Sequence, residues 1–335
     1  MKATKKNAPL FFLIFGIVLV VLGLLALAVG RYQISIKNVL LTILGMNPVK
    51  SENMVVLNLR LPRMFACILI GAALASSGEA YQGIFQNPLV SPDLLGVSSG
   101  ACVGAVIAIM LHLQYFHIVL FAFVFGILSV VLAVFLSAIT KKKTNLVLLL
   151  SGIIVSEFMA AITGLCTFFA DETSELGEIV DWRMGSIADV SMMEVAYAAP
   201  VIVTGLILMF LMRWRINLLS IGNKEAKSLG VNVMRDRYIL IGISTLLTAS
   251  AVAISGTIGW IGLVIPHISR WLVGSDNRYS LPLSMLLGSS FLLIVDTLAR
   301  SLTIYELPLS IITGFIGAPI FALILTKKKG IQNEP

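Results

Sequence analysis

The residues of this 335-residue chain that could do chemistry are few, and most stand at the edges of long apolar runs. Arg60-Leu61-Pro62-Arg63 opens one such run. Pro62 suits the first turn of a helix, where its missing N–H costs nothing. Two arginines there read either as interfacial anchors or as a cationic pocket for carboxylates, which Arg300 at the end of another run would complete. Glu157, near the middle of one run, and Asp296, deep in another, are costly in lipid and default to functional candidates. Glu157 reads equally as lining a pathway or as making a helix–helix hydrogen bond. Asp296 stands one turn before Arg300, which suits an i,i+4 pair.

Nothing else resembles an active site. Cys67, Cys102 and Cys166 lie in apolar runs without CxxC spacing, so they read as small core residues and offer neither a disulfide framework nor a metal knuckle. His112, His117 and His267 are scattered and read as structural. No G-x-x-x-x-G-K-[ST] is present to cradle ATP phosphates. The reading is no catalytic residues, no metal and no cofactor.

The elements that must position these residues follow from composition. Apolar residues make up 58% of the chain and charged residues only 12%, against about 25% charged in soluble domains. A soluble globule could not be solvated by so few charges, and the bilayer is the solvent that fits. The net charge of +7 does not point to nucleic acid, because the basic residues sit in short clusters between apolar runs. At about 20 apolar residues per crossing, ten spans are expected at 10–30, 62–83, 95–112, 117–140, 145–168, 194–213, 238–258, 260–274, 282–300 and 308–326. Ala26-Leu27-Ala28 looks like a cleavage site, but the run before it is long for a signal peptide and reads as a retained first helix. Ten spans put both ends on one side. Seven of the 24 Lys and Arg residues fall on the other side: Arg31, Lys37, Lys50, Arg60, Arg63, Arg183 and Arg300. The positive-inside rule then makes both termini cytoplasmic. The expectation is an all-α, polytopic transmembrane helical bundle in a single domain, 1–335. Small residues from Gly71 to Gly78 would let helices pack closely in it.

Two segments interrupt the spans. Residues 86–101 carry Pro88, Pro92, Gly96 and a Ser/Gly run. Non-helical backbone at that depth needs protein or water to satisfy it, so a broken helix lining a cavity is expected. The loop 214–237 is the longest on the cytoplasmic side. Within it, residues 219–230 read as one or two short helices ended by Gly230, with Ile221, Ala226 and Leu229 as an apolar stripe. A helix so short gains order by docking in a partner's groove.

Several long motifs resemble the FecCD family, the permease subunits of ABC importers for iron chelates, haem and cobalamin. They are Arg60-Leu61-Pro62-Arg63, Asn87-Pro88-Leu89, the run from Leu95 to Ala101, the run from Gly256 to Arg270, Glu306-Leu307-Pro308 and Gly317-Ala318-Pro319. The resemblance covers residues 8–328 and implies ten helices in the cell membrane of a bacterium or archaeon. It implies a second permease subunit (identical or paralogous), two cytoplasmic ATP-binding subunits and an extracytoplasmic substrate-binding protein. Arg60, Arg63 and Arg300 match the arginines that receive glutamates of the binding protein. Ser220, Gly222, Lys224, Glu225, Ala226, Leu229 and Gly230 match the coupling segment that sits on the ATPase. Asn87, Leu89, Thr144 and Asn145 match the cytoplasmic gate, and residues 182–186 resemble the outer gate. Glu157 departs from the apolar and hydroxyl lining usual in the family and is the pathway candidate. The expected function is import of an iron chelate, a ferric siderophore first, with cobalamin or haem as alternatives. A proton-coupled secondary transporter using Glu157 is the rival from another class.

Overall fold

The computed structural model describes residues 8–140, 144–303 and 305–331. Lys2, Lys5, Lys6 and Lys141–Lys143, which helped to orient the chain, lie outside the described residues. Among the described residues the secondary structure is helical throughout, with no strand. The long helices are α1 (Ala8–Ala28), α4 (Leu61–Phe85), α6 (Tyr115–Ile139), α7 (Asn145–Phe169), α9 (Met192–Ser220), α11 (Val233–Ser255), α13 (Asn277–Ala299) and α14 (Leu309–Ile331). Two shorter apolar helices, α5 (Val97–Met110) and α12 (Ile261–Val273), join them, and short helices α2 (Ile36–Ile43), α3 (Lys50–Met54), α8 (Leu176–Met184) and α10 (Asn223–Ser228) cap the bundle. Seven of the described helices, α4 counted with its N-terminal extension, are both long and apolar enough to cross a membrane. The chain is a multi-pass membrane protein.

α4 is the axis. Most of its residues from Ala72 to Phe85 are buried, and it packs against α13, α9, α11 and α12. Glycine makes this approach possible. A Cβ on Gly71 would overlap the carbonyl of Gly288 in α13, and one on Gly78 would overlap the carbonyl of Gly262 in α12. With no hydrophobic driving force between helices in lipid, such backbone contact is what gives dispersion its purchase. α11 is likewise buried along most of its length, whereas α1, α7 and α14 leave long apolar faces outward, as helices facing lipid or a second chain must.

The interruptions are satisfied by protein rather than by an open cavity. Gln86 ends α4 in the left-handed region (φ 53°) and donates to Leu219 O at 2.9 Å. A 3₁₀ turn, Pro92–Leu95, then leads to Gly96, whose carbonyl accepts from Ser129 Oγ at 2.7 Å. α7 lies so close that a Cβ on Gly152 would overlap Leu94 O.

The short helices at the other end are absent from the span pattern because the run between the first two spans is too polar to cross. Ser35 caps α2 by accepting from Asn38 N at 3.2 Å. Asn38 Nδ2 and Asn47 Nδ2 each donate to Glu52 Oε2 at 2.9 Å, and a π-helical turn, Val55–Arg60, carries the chain from α3 into α4.

The Gly78–Gly262 contact is testable. Gly78→Ala should cost about 1–3 kcal/mol through forced separation of α4 and α12. Gly242→Ala, with nothing within 4 Å of its Cβ position, should leave the thermal midpoint of the detergent-solubilised protein unchanged or slightly raised. Equal midpoints for both variants would refute the contact's importance.

Candidate functional site

At the end that the charge rule puts outside, the structure brings Arg60, Arg63 and Arg300 together. They form no open cationic pocket: their exposures are 6%, 7% and 7%, and each guanidinium is already engaged. Arg60, at the end of the π turn, donates through Nη1 to Leu27 O at 2.7 Å and Ala28 O at 2.9 Å, and through Nη2 to Tyr32 O. Arg300 donates to Ala26 O. Two cations therefore cover the final carbonyls of α1, where the helix dipole is negative and the backbone acceptors are otherwise orphaned. Arg63 faces carboxylates instead. It meets Asp296 Oδ1 through Nη2 at 2.6 Å and Nε at 3.2 Å, and Glu306 through Nη1 and Nη2 at 3.0 Å each. Asp296 does more than the i,i+4 pair expected of it: it bridges Arg300 (Nε–Oδ2 3.4 Å) and Arg63. The physical reason for the closed arrangement is desolvation, since a guanidinium stays charged when buried and only partners on every side offset the cost.

Beside this cluster, residues 182–186 are stitched to two helices. Ser186 N donates to Ser255 O at 2.9 Å, Leu309 N donates to Gly185 O at 2.9 Å, and Thr257 Oγ1 donates to Arg183 O. The end of α8 is thereby tied to the end of α11 and the start of α14.

The opposite end joins the expected gate residues. Thr144 caps α7 by accepting from Val147 N at 3.3 Å. Asn145 Nδ2 donates to Ile84 O of α4 at 3.1 Å, and Asn87 Oδ1 accepts from Leu89 N at 3.0 Å, leaving the Leu89 side chain exposed. Asn145 thus meets the end of α4, while the side chains of Thr144 and Asn87 bond within their own cap and turn.

The segment 214–237 is shorter as a loop than the sequence suggests. α9 runs on to Ser220 and α11 begins at Val233. A 29-residue α9 extends about 43 Å, longer than the ~30 Å hydrocarbon layer, so its charged end stands beyond the bilayer. α10 projects from Gly222 (φ 125°) to Gly230 (φ 77°), two turns in a region that a side chain would strain. The expected stripe is corrected in one member. Ala226 is fully buried, whereas Ile221 and Leu229 are exposed. Ala226 anchors α10 to the bundle and leaves the other two to face outward. Arg237 Nη2 holds α10 by donating to Asn223 Oδ1 at 2.8 Å, and Ser220, Lys224 and Glu225 lie on its exposed side. Asn217 Nδ2 donates to Asp276 Oδ1 at 2.8 Å, tying α9 to the cap of α13.

Glu157 lies on the exposed face of α7. Among the described residues no side chain or backbone group of this chain meets its carboxylate, and Ile153, Ile154 and Phe158 around it are exposed as well.

A third polar cluster was missed in the sequence. Glu79, fully buried near the end of α4, accepts from Arg270 Nη1 at 3.0 Å, Ser280 Oγ at 3.0 Å and Ser284 Oγ at 2.9 Å. Arg270 also donates to Gln82, whose own amide reaches Gly262 O and Leu263 O at 3.3 Å. His267 sits against Leu263 O through Nδ1 at 3.0 Å. Three helices, α4, α12 and α13, meet at one carboxylate. The available signal was Glu79 itself, within a predicted span, with Gln82 three residues on. Among the described residues no group of His, Cys, Asp or Glu could hold a metal ion.

The sequence profile of the FecCD transport family matches residues 18–327. The chain belongs to this family. It is 39% identical over 332 residues to the molybdate import system permease protein MolB of Haemophilus influenzae, covering 96% of this chain and 98% of that one. It is 38% identical to a protein named probable iron chelatin transport system permease protein of Helicobacter pylori, covering 95% and 96%. A solved ABC transporter described as of metal-chelate type, in an inward-facing conformation, superposes with a TM-score of 0.88 at 36% identity over 95% of this chain and 99% of that one. This FecCD chain is therefore the permease subunit of an ABC importer.

Two consequences can be measured on the FecCD permease itself. Removing Arg270 strands the fully buried Glu79 carboxylate, so Arg270→Met should lose about 3–5 kcal/mol. Glu79→Leu combined with Arg270→Met should recover much of that loss in thermal unfolding; a double variant worse than the single would refute the pairing. Asp276 is held down at about 2 by hydrogen bonds from the Arg278 guanidinium, aided by its backbone N–H and by Asn217. A depressed carboxylate stabilises the fold above its unfolded pKa near 3.9, and that stabilisation is lost as pH falls towards 2. Asp276→Asn should lower stability at pH 7 and flatten its fall below pH 4 in acid-unfolding curves.

Proposed function

We propose that the chain forms one half of the pathway by which a ferric chelate, a siderophore first, enters the cell. On this reading the other half is a second permease subunit, identical or paralogous. Two cytoplasmic ATP-binding subunits supply the energy, and an extracytoplasmic binding protein delivers the cargo. ATP hydrolysis then belongs to the separate subunits, and this chain catalyses nothing.

The observation that carries the cargo reading is Glu157, a carboxylate on the outward apolar face of α7. An apolar wall holding one negative charge suits a bulky chelate without net negative charge, such as a ferric hydroxamate. It repels an oxyanion such as molybdate, although one close relative is named for that cargo. Haem, with two propionates, meets the same repulsion. Cobalamin, bulky and without net negative charge, is the second reading.

The cytoplasmic end supports the coupling role. Exposed Ile221 and Leu229 flank α10, with Ser220, Gly222, Lys224, Glu225 and Gly230 around them and Ala226 as the internal anchor. A small apolar pair on a glycine-bounded turn suits a groove in the ATPase. Asn87, Leu89, Thr144 and Asn145 are proposed as the cytoplasmic gate, since they sit where α4 ends and α7 begins. Arg60, Arg63 and Arg300 are proposed to serve docking of the binding protein at the outer end.

The test is uptake of a labelled ferric hydroxamate, with molybdate, haem and cobalamin in parallel. The cells lack this gene or carry it with its partner ATPase, active or inactivated by substitution. Chelate uptake that returns only with the active ATPase is the expected result. Restoration of molybdate uptake alone would overturn the cargo reading. Chelate uptake that ignores the ATPase and collapses with the proton gradient would transfer the role of Glu157 to proton coupling.

A further inference from the structure

The outer cluster holds three guanidinium groups and two carboxylates, Asp296 and Glu306. The two acids differ in standing. The Asp296 side chain is 2% exposed and fixed inside α13, while that of Glu306 is 35% exposed and rides on the α13–α14 loop. Glu306 binds Arg63 bidentately at 3.0 Å from outside, whereas Arg60 and Arg300 donate to the carbonyls ending α1, and Arg60 to Tyr32 O just beyond it. A carboxylate arriving from outside can reach only one of the three arginines without unfolding the end of α1, and to do so it must take the place of Glu306. The flanking surface suits such an arrival. Tyr305 and Leu302, on the same loop, are 86% and 61% exposed, an aromatic and an aliphatic side chain beside a buried charge, as at the centres of many protein interfaces.

We infer that Glu306 is a built-in placeholder: it neutralises Arg63 in the free permease and is displaced by a carboxylate of the binding protein, which anchors on Tyr305 and Leu302. The inference rests on the docking reading above and narrows it from three arginines to one exchange. The occupant is argued from charge, since the cluster keeps one uncompensated positive charge that favours an acidic partner. The exchange also has a route inward. Glu306 stands three residues before Leu309, whose N–H binds Gly185 O at 2.9 Å, and Leu307 N binds Ala299 O at 3.2 Å. Freeing Glu306 releases the loop that holds α14 against residues 182–186, so that docking loosens the outer end of the pathway on the side where the cargo arrives.

The experiment measures binding of the purified cognate binding protein to the permease–ATPase complex in nanodiscs. Glu306→Gln removes the competitor and keeps the shape, so docking should tighten about fivefold, the scale of one half-exposed ion pair. Glu306→Asp should dock as the unaltered protein does. Tyr305→Ala should weaken docking. Arg63→Lys preserves the charge facing Asp296 but loses the two-pronged fork, and in that background Glu306→Gln should give no gain. Monodisperse elution of each variant checks the fold. Glu306→Gln docking equal to or weaker than the unaltered protein overturns the placeholder. A distinct outcome, docking indifferent to charge reversal at Arg60, Arg63 and Arg300 together, overturns the docking reading on which it rests.

Discussion

The fold depends on how α4 carries charge through a medium that tolerates none unpaired. Arg60 and Arg63 stand at one end and Glu79 near the other, and all three are buried. Each is solved by partners from a different helix: carbonyls of α1 for Arg60, Asp296 of α13 for Arg63, and Arg270 of α12 with two serines of α13 for Glu79. A buried pair contributes little net stability against an apolar replacement, but a broken one is expensive. The clusters therefore specify which helices touch and in what register. The glycine contacts at Gly71 and Gly78 supply the close approach that makes those distances reachable.

This division of labour explains what the sequence made legible. Long apolar runs announce spans because lipid demands them, and α1, α6 and α7 could be read from composition alone. The motifs that carry the family resemblance were legible because a full-length family shares its packing, and the profile match confirms the family. What could not be read was partner choice. Arg270 counts as a loop charge under the positive-inside rule, yet it turns inward to Glu79, because a guanidinium on a long stem can reach back from the membrane edge. Ala226 looks like one member of an exposed stripe, but in so short a helix only the tertiary contact decides which face is buried. Arg60 and Arg63, less than one turn apart, face different acceptors: Arg60 closes the π turn and meets α1, whereas Arg63 lies in the first turn of α4 and meets α13.

The two ends of the bundle are held by different mixtures of contacts. The outer end is closed by charge: cations on carbonyls and carboxylates, with one acid left at the rim. The end that bears α10 adds neutral hydrogen bonds, Asn145 to Ile84 and Gln86 to Leu219, to the Glu79–Arg270 and Asp276–Arg278 ion pairs, around a projecting turn that buries Ala226 and exposes Ile221 and Leu229. Charge acts over distance and favours an oppositely charged partner from solution. Neutral contacts and small apolar side chains act only on touching.

The projecting turn and the long helix before it are cross-tied to the rest of the bundle. α10 is fixed to the bundle by Ala226 and by Arg237 on Asn223. α9 is fixed to α13 by Asn217 on Asp276, and α13 carries Asp296 at its far end. Through α9 and α11 the projecting turn is thus linked to α13, which runs to the ion cluster at the other end. The elements least tied to that frame are α7 and α14, whose outward faces are apolar and exposed. Glu157 is the one acidic residue in the sequence of either helix, and it stands on such an outward face.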